Sequence, residues 1–261
     1  MGIRQSRNTG RLFLELDTDL QSLLRRPYRG QASLTYPLDR RASIKDILES
    51  LGIPHTEVGA IIGPAGKYSL AHVPGPGQRL RIEGNRSGLD PAQPTRLRPD
   101  PLPEVRFLVD INVGKLARLL RMAGFDARLE PGLEAAELTA LAGTEQRILL
   151  SRNRELFKRK EVMHGHLVRA EHSADQLREI IALYGLTEKV TPFCRCLACN
   201  TPLASVAKKE ILERLEPLTR KYYHHFKICP GCRRIYWQGS HHARMLRLLQ
   251  NMLPACGKSM G

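Results

Sequence analysis

Apolar and polar positions alternate twice near the start of the chain. Leu12, Leu14 and Leu16 fall on one side of RLFLEL, and Leu34, Tyr36 and Leu38 on one side of SLTYPL. Period two marks a half-buried strand. The period then lengthens. Ile44, Ile47, Leu48 and Leu51 form a helical stripe in SIKDILESL, with Ser43 placed to cap it and Gly52 to end it. Short apolar stretches at 58–62, 67–71 and 79–82 predict three more strands. From residue 105 the pattern changes. VRFLVD is an unbroken apolar run, expected of a strand buried on both faces. NVGKLARLLRMAG follows with Val113, Leu116, Ala117 and Leu120 at helical spacing and Gly124 as its stop. Then come a strand (DARLE), a helix (EAAELTALA), a strand (RILLS), a short basic helix (RELFKRK), a strand (HLVRA) and a helix (ADQLREIIALYG). Such close alternation predicts βαβ units, a parallel sheet and an α/β fold.

Between the two patterns, residues 85–104 hold five prolines and no apolar periodicity, as a semi-rigid linker does. The expected organisation is a strand-rich module at 10–84, the linker at 85–104 and the α/β domain at 105–190. A cysteine-bearing segment at 191–246 and a tail at 247–261 complete it. The first module's ββαββ order resembles the β-grasp, or ubiquitin-like, fold. Small sulfur carriers of that fold act through a free terminal Gly-Gly, whereas here the module runs on into the rest of the chain. An interaction or scaffolding role, with a protein partner, is therefore expected of it.

Composition narrows the setting. At 261 residues and 42% hydrophobic content the chain can build two or three packed cores. No apolar run approaches the roughly 20 residues of a membrane span, and the first residues lack the apolar stretch of a secretory signal. A cytoplasmic location without membrane contact is expected, where thiols stay reduced. The net charge is +15, and residues 194–261 hold 12 Lys/Arg against 3 Asp/Glu. That concentration suits a polyanion such as RNA, or a basic surface kept for solubility.

The same segment carries two Cys-x-x-Cys pairs, Cys196/Cys199 and Cys229/Cys232, separated by 29 residues. Two such turns supply four thiolates to one tetrahedral, structural Zn²⁺ site. The intervening stretch is long enough for a helical excursion, and disulfides are disfavoured in a reducing compartment. Cys194 is a substitute for Cys196 or a spare thiol, and Cys256 is given no role. Arg233, Arg234, Trp237 and His241, beside Tyr222, Tyr223 and Tyr236, interleave cations with rings, as single-stranded nucleic acid requires. For Trp237 the preferred reading is that it covers the small zinc core.

In the α/β region, Asp110 ends the first strand, where open parallel sheets gather functional groups. It is a candidate ligand for Mg²⁺ or Mn²⁺, or a simple helix cap. Glu134 and Glu137 share one helical face, as metal ligands or as solvated charge. Asp175, between Ser173 and Gln176 at capping-box spacing, reads as ordinary N-terminal helix charge.

FLVDINVGKLARLLRMAGFDA, RILLSRNRELFKRK, CLACNTPL and CPGCRRIYWQGSH together resemble the Mut-seven C-terminal RNase family, whose members combine a PIN-like nuclease domain with a zinc ribbon. The first module is similar to the ubiquitin-like domain often fused ahead of it. The resemblance implies metal-dependent RNA cleavage, with Asp110 and Glu137 as Mg²⁺/Mn²⁺ ligands. It implies Arg152 and Arg154 as phosphate contacts and His241 as an RNA contact. At the third acidic position the family's Thr-Arg-Asp-Arg is here Ser151-Arg152-Asn153-Arg154, so Asn153 brings an oxygen without a charge. A non-catalytic RNA-binding or interaction protein is the competing expectation.

Overall fold

Residues 10–253 are described by the structure, a computed structural model. Strand β1 (Gly10–Leu16) pairs antiparallel with β2 (Ser33–Leu38) and parallel with β5 (Arg79–Gly84). β3 (Val58–Gly63) pairs antiparallel with β5 and with β4 (Gly66–Lys67), so the order is β2-β1-β5-β3-β4. A short helix α1 (Thr18–Gln21) follows β1, and α2 (Ile44–Leu51) packs its apolar stripe on the sheet. The α2 N-terminus is closed by a capping box between Ser43 and Asp46. Gly52 ends the helix at φ 103°, a left-handed geometry that suits glycine. This mixed sheet with one crossing helix is a β-grasp fold. The strand expected at 67–71 stops at Lys67 because the chain beyond serves the helix instead. Leu70 and His72 give their carbonyls to the Lys45 and Ile44 N–H groups at 3.2 and 2.7 Å, partnering donors that a helix start leaves free.

The second sheet is wholly parallel, with β6 (Arg106–Val109) and β8 (Ile148–Ser151) at its centre. β7 (Asp126–Leu129) and β9 (Gly165–Leu167) are its edges, giving the order β7-β6-β8-β9. Strand alternation divides the core in two. Phe107, Val109, Ile148 and Leu150 point to one face, where α3 (Gly114–Ala123) and α5 (Ser173–Leu183) cover them. Leu108, Leu149 and Leu167 point to the other, against Leu138 and Ala142 of α4 (Ala135–Thr144). Leu156 and Phe157 join that face from a single 3₁₀ turn, Arg154–Lys158, where a short helix was expected. The β-grasp core belongs to the same apolar cluster, so the N-terminal domain completes the cover of this face. At α5, His172 rather than Ser173 occupies the N-cap. The Gln176 amide donates to the Ala170 and Glu171 carbonyls, so no capping box forms.

The proline-rich segment has no helix or strand, yet it is packed, not free. Leu97, Arg98 and Leu102 are buried, the Leu89 N–H donates to Leu183 O at 2.8 Å, and Arg98 donates to Thr56 O at 2.7 Å. At the C-terminal end, β10 (Ala204–Val206), β11 (Phe226–Ile228) and β12 (Ile235–Trp237) form an antiparallel sheet. The helical excursion between its first two strands is α6 (Lys208–Ile211) and α7 (Pro217–Tyr222). Helix α8 (Ser240–Met252) runs through the boundary expected at 246, because Leu249 is buried in the α3–α5 core.

Polar groups seal the joint between the two domains. Glu57, 1% exposed, lies 3.3 Å from His166 Nδ1 as an ion pair without hydrogen-bond alignment, accepts from the Leu167 N–H at 2.8 Å, and meets Arg169 at 3.0 Å. His166 Nε2 bonds Glu179 at 2.7 Å. Burial opposes the charge on His166, but Glu57 and Glu179 outweigh it and raise the pKa to about 9. Burial likewise opposes ionisation of Glu57, yet His166 and its other partners lower it to about 2. A raised histidine pKa stabilises fully below the unfolded value near 6.5 and is lost as pH rises through about 9. The depressed Glu57 works above about 4.5 and is lost as pH falls towards about 2. The melting temperature of the wild type is therefore expected to fall by on the order of 5 °C between pH 6.5 and 9.5. His166→Gln should melt lower at pH 6.5 and lose that slope, which calorimetry across the range would read.

Candidate functional site

Because β7 and β8 lie on opposite sides of β6, the chain reverses its winding direction between β6 and β8. The carboxyl ends of those two strands flank the crevice that such a switch point opens. Asp110 follows β6 there. Its side chain caps nothing; Oδ2 accepts from the Ser151 hydroxyl at 2.5 Å and from the Asn112 amide at 2.8 Å. Ser151, fully buried at the end of β8, also accepts from Asn112 at 3.1 Å and from the Asn153 N–H at 2.8 Å. Asn112 Oδ1 in turn accepts from the Arg152 N–H at 3.1 Å. The cluster ties both strand ends together and holds one carboxylate in a fixed orientation, with Oδ1 accepting no hydrogen bond among the described residues. Asn112 and Ser151 were missed by sequence reasoning, although Asn112 lies two residues past Asp110 and Ser151 is the last residue of an apolar run.

The other expected members are occupied differently. Glu137 closes a reciprocal capping box with Glu134 at the start of α4. Asn153 caps the 3₁₀ turn through the Glu155 N–H at 3.1 Å. Asp175 pairs with Arg178. Arg152 is exposed beside Asp110. Arg154 turns away and donates to the Leu23 carbonyl of the β-grasp domain at 2.6 Å. Among the described residues no group of three acidic or histidine side chains converges here; the one such group of potential metal ligands is the cysteine cluster.

In that cluster the sulfurs of Cys196, Cys199, Cys229 and Cys232 lie within 4.8 Å of one another, and the Cys196–Cys232 and Cys199–Cys229 separations are 3.5 and 3.3 Å. Four thiolates around Zn²⁺ at about 2.3 Å have edges of about 3.8 Å, so the donor set fits a structural zinc ion with no position left for water. Each pair forms a tight knuckle. Asn200 and Arg233 take φ 71° and 62°, and their N–H groups return to the Cys196 and Cys229 carbonyls at 3.0 and 2.9 Å. The Tyr236 hydroxyl is 3.0 Å from Cys196 Sγ. Burial resists ionisation of Cys199, but Thr201 and the neighbouring thiols lower its pKa to about 6. Cys194 stands apart, donating to Gly124 O at 3.5 Å, and Cys256 lies outside the described residues.

The first knuckle is bolted to the parallel sheet. Arg121, buried in α3, donates to the Leu197 and Ala198 carbonyls at 3.3 and 2.8 Å. Asn200 bridges edge strand β7, giving to Asp126 at 2.8 Å and accepting from the Ala127 N–H at 3.1 Å. Burial opposes the charge on Asp126, but Arg147 and Asn200 hold its pKa below the ordinary carboxylate value. Arg121 sits inside the apolar stripe of α3, where periodicity alone hides it.

Beyond the knuckles opens a groove of about 1160 Å³ between the ribbon, α7, α8 and Arg118 of α3. Arg234, Trp237 and His241 line it together with Tyr222, Tyr223 and Lys227. Trp237 packs near Tyr223 and Phe226, at ring distances of 6.4 and 6.5 Å, yet remains 38% exposed, so it both covers the ribbon core and faces the groove. Arg233 is exposed outside the groove, and its carbonyl accepts from Arg214 at 2.5 Å.

The profile of the Mut7-C RNAse domain matches residues 105–249. The chain belongs to the Mut7-C RNase family. The Mut7-C ubiquitin profile matches residues 11–89, the β-grasp domain. No curated protein and no solved structure matches the chain. Among the described residues no helix is long and apolar enough to cross a membrane. For this Mut7-C protein, elemental analysis is expected to find one zinc per chain. Cys229→Ser should lose the metal and lower the melting temperature, whereas Cys194→Ser should keep both.

Proposed function

We propose that this chain is a ribonuclease-type protein that holds single-stranded RNA in the ribbon groove and presents its phosphates to Asp110. The observation that carries the reading is the placement of Asp110 at the switch point of a parallel sheet in a Mut7-C chain. The groove supports it, since rings that stack on bases stand among cations that meet phosphates. Arg118, which lines the groove, lies on α3, the helix that follows Asp110 in the chain.

The donor set at Asp110 fits one hydrated Mg²⁺ or Mn²⁺, which is commonly held by one or two carboxylates together with substrate phosphate. Such an ion, when bound, supplies an activated water and charge to offset the scissile phosphate. Ser151 and Asn112 position the carboxylate by holding Oδ2 and leaving Oδ1 to a ligand. Arg152 offers its guanidinium to a neighbouring phosphate oxygen. The expected set of Asp110 with Glu137 and Asn153 as partners finds no support, since Glu137 caps α4 and Asn153 caps the 3₁₀ turn.

That same pair of caps favours a second reading, an RNA-binding protein whose nuclease chemistry is weakened. A protein partner for the β-grasp domain remains compatible with either, restricted to the surface left free by the nuclease sheet. Cleavage of single-stranded RNA with added Mn²⁺ separates the two. Asp110→Asn should abolish cleavage, a loss of about 10²-fold or more, while leaving RNA affinity within about twofold. Trp237→Ala should weaken binding by about 1–3 kcal/mol. Equal cleavage by wild type and Asp110→Asn would refute the nuclease reading; RNA binding without cleavage by the wild type would establish the second.

A further inference from the structure

The loop between α1 and β2 reads Arg25-Arg26-Pro27-Tyr28-Arg29, and all five residues are exposed. It protrudes at the end of the β-grasp sheet that abuts the nuclease domain. Two contacts fix its place. Arg154, just beyond β8, donates to the carbonyl of Leu23 at the root of the loop at 2.6 Å. Arg169, just beyond β9, donates to the Asp19 carbonyl at 3.3 Å while its other nitrogen meets Glu57 at 3.0 Å. The loop therefore stands beside the carboxyl ends of β8 and β9, the edge that also carries Ser151 and Arg152 next to Asp110.

The charges gathered there are mostly of one sign. Burial lowers the pKa of Arg154, and the positive charges of Arg29, Arg25 and Arg169 lower it further, with Glu155 opposing. Of the nearby acids, Glu57 is buried beneath the surface, Glu155 is engaged by Lys158, and Asp19 is exposed next to Arg169. Like charges held together repel, and neither the Arg25 nor the Arg29 guanidinium has a hydrogen bond or ion pair among the described residues, although the charge of Arg25 helps keep Glu155 ionised. An anion crossing the loop would relieve that repulsion. Tyr28, 37% exposed among the arginines, adds a ring on which a base can stack.

We infer that the ubiquitin-like domain is itself part of the RNA-binding surface, its Arg25–Arg29 loop joining Arg152 in a phosphate-binding arc on the side of Asp110 away from the zinc ribbon. The RNA strand then runs from the ribbon groove past Asp110 onto the N-terminal domain, and the acidic centre lies between two basic supports. The inference rests on the RNA reading given above and adds a second contact region to it.

The test is salt-dependent binding of a single-stranded oligoribonucleotide to the full chain. Arg25→Ala/Arg29→Ala should bind about tenfold more weakly, and the slope of log K against log salt should fall by about 1.4, the value for two lost phosphate contacts on a single strand. Arg25→Lys/Arg29→Lys keeps both charges and should stay within about threefold of the wild type. Arg40→Ala/Arg41→Ala removes two exposed charges from the opposite end of the same sheet and should change neither affinity nor slope. Unchanged affinity and slope in Arg25→Ala/Arg29→Ala, with RNA still bound, would overturn this inference alone. Equal losses in both alanine pairs would reduce the loop to general charge and overturn it too. A wild type that binds no RNA would overturn the RNA reading and this inference with it.

Discussion

A parallel sheet buries both of its faces, and the four-stranded sheet of this protein is too small to be covered by its own helices. Helices α3 and α5 close one face around Phe107, Val109, Ile148 and Leu150. On the other, α4 and a 3₁₀ turn leave apolar surface that the β-grasp domain occupies, so Leu108 and Leu149 share a core with Leu14, Ile53 and Val58. The N-terminal domain is thereby a structural layer of the parallel sheet, and the linker between them is ordered because it crosses a filled joint. The buried Glu57–His166–Glu179 chain adds direction to that apolar contact, since ionised groups removed from water tolerate few arrangements.

The position of the candidate chemistry follows from the same sheet. Crossing from β7 over β6 to β8 opens the crevice at Asp110, and Ser151 and Asn112 lock the two strand ends across it. The zinc ribbon grips the far edge at β7 through Arg121 and Asn200. The ribbon is thereby fixed against α3 and β7, and so in a set position relative to the carboxylate.

Much of this was legible from residues alone. Period-two and helical stripes located both sheets and α2, α3, α4 and α5, and two Cys-x-x-Cys pairs located the cysteine cluster, because each signal is local. What escaped was set by tertiary partners. Residues 68–71 left their strand to serve the α2 N-terminus. Leu97 and Leu102 found cores that no periodicity announced. Arg154 matched a family position by number, yet its guanidinium was drawn to a carbonyl 131 residues away. Glu137 and Glu134 shared a face as spacing required, and spent their carboxylates on their own backbone. Polar groups choose partners in space, and a one-dimensional pattern does not list the candidates.

Helix α8 has a consequence for how the ribbon could be exchanged. The chain leaves the nuclease core at Thr191 and Phe193, whose N–H groups bond the Ala123 and Met122 carbonyls, and returns to it at Leu249, where Arg178 also holds the Asn251 carbonyl at 3.1 Å. Entry and exit both lie against α3 and α5. Topologically the ribbon is an insertion into the α/β domain instead of an appendage, a cassette whose two ends are stitched to the same pair of helices. A different module with similarly spaced ends could be grafted between those stitches without disturbing the sheet, whereas truncation before α8 would strip a packed helix from the α/β core.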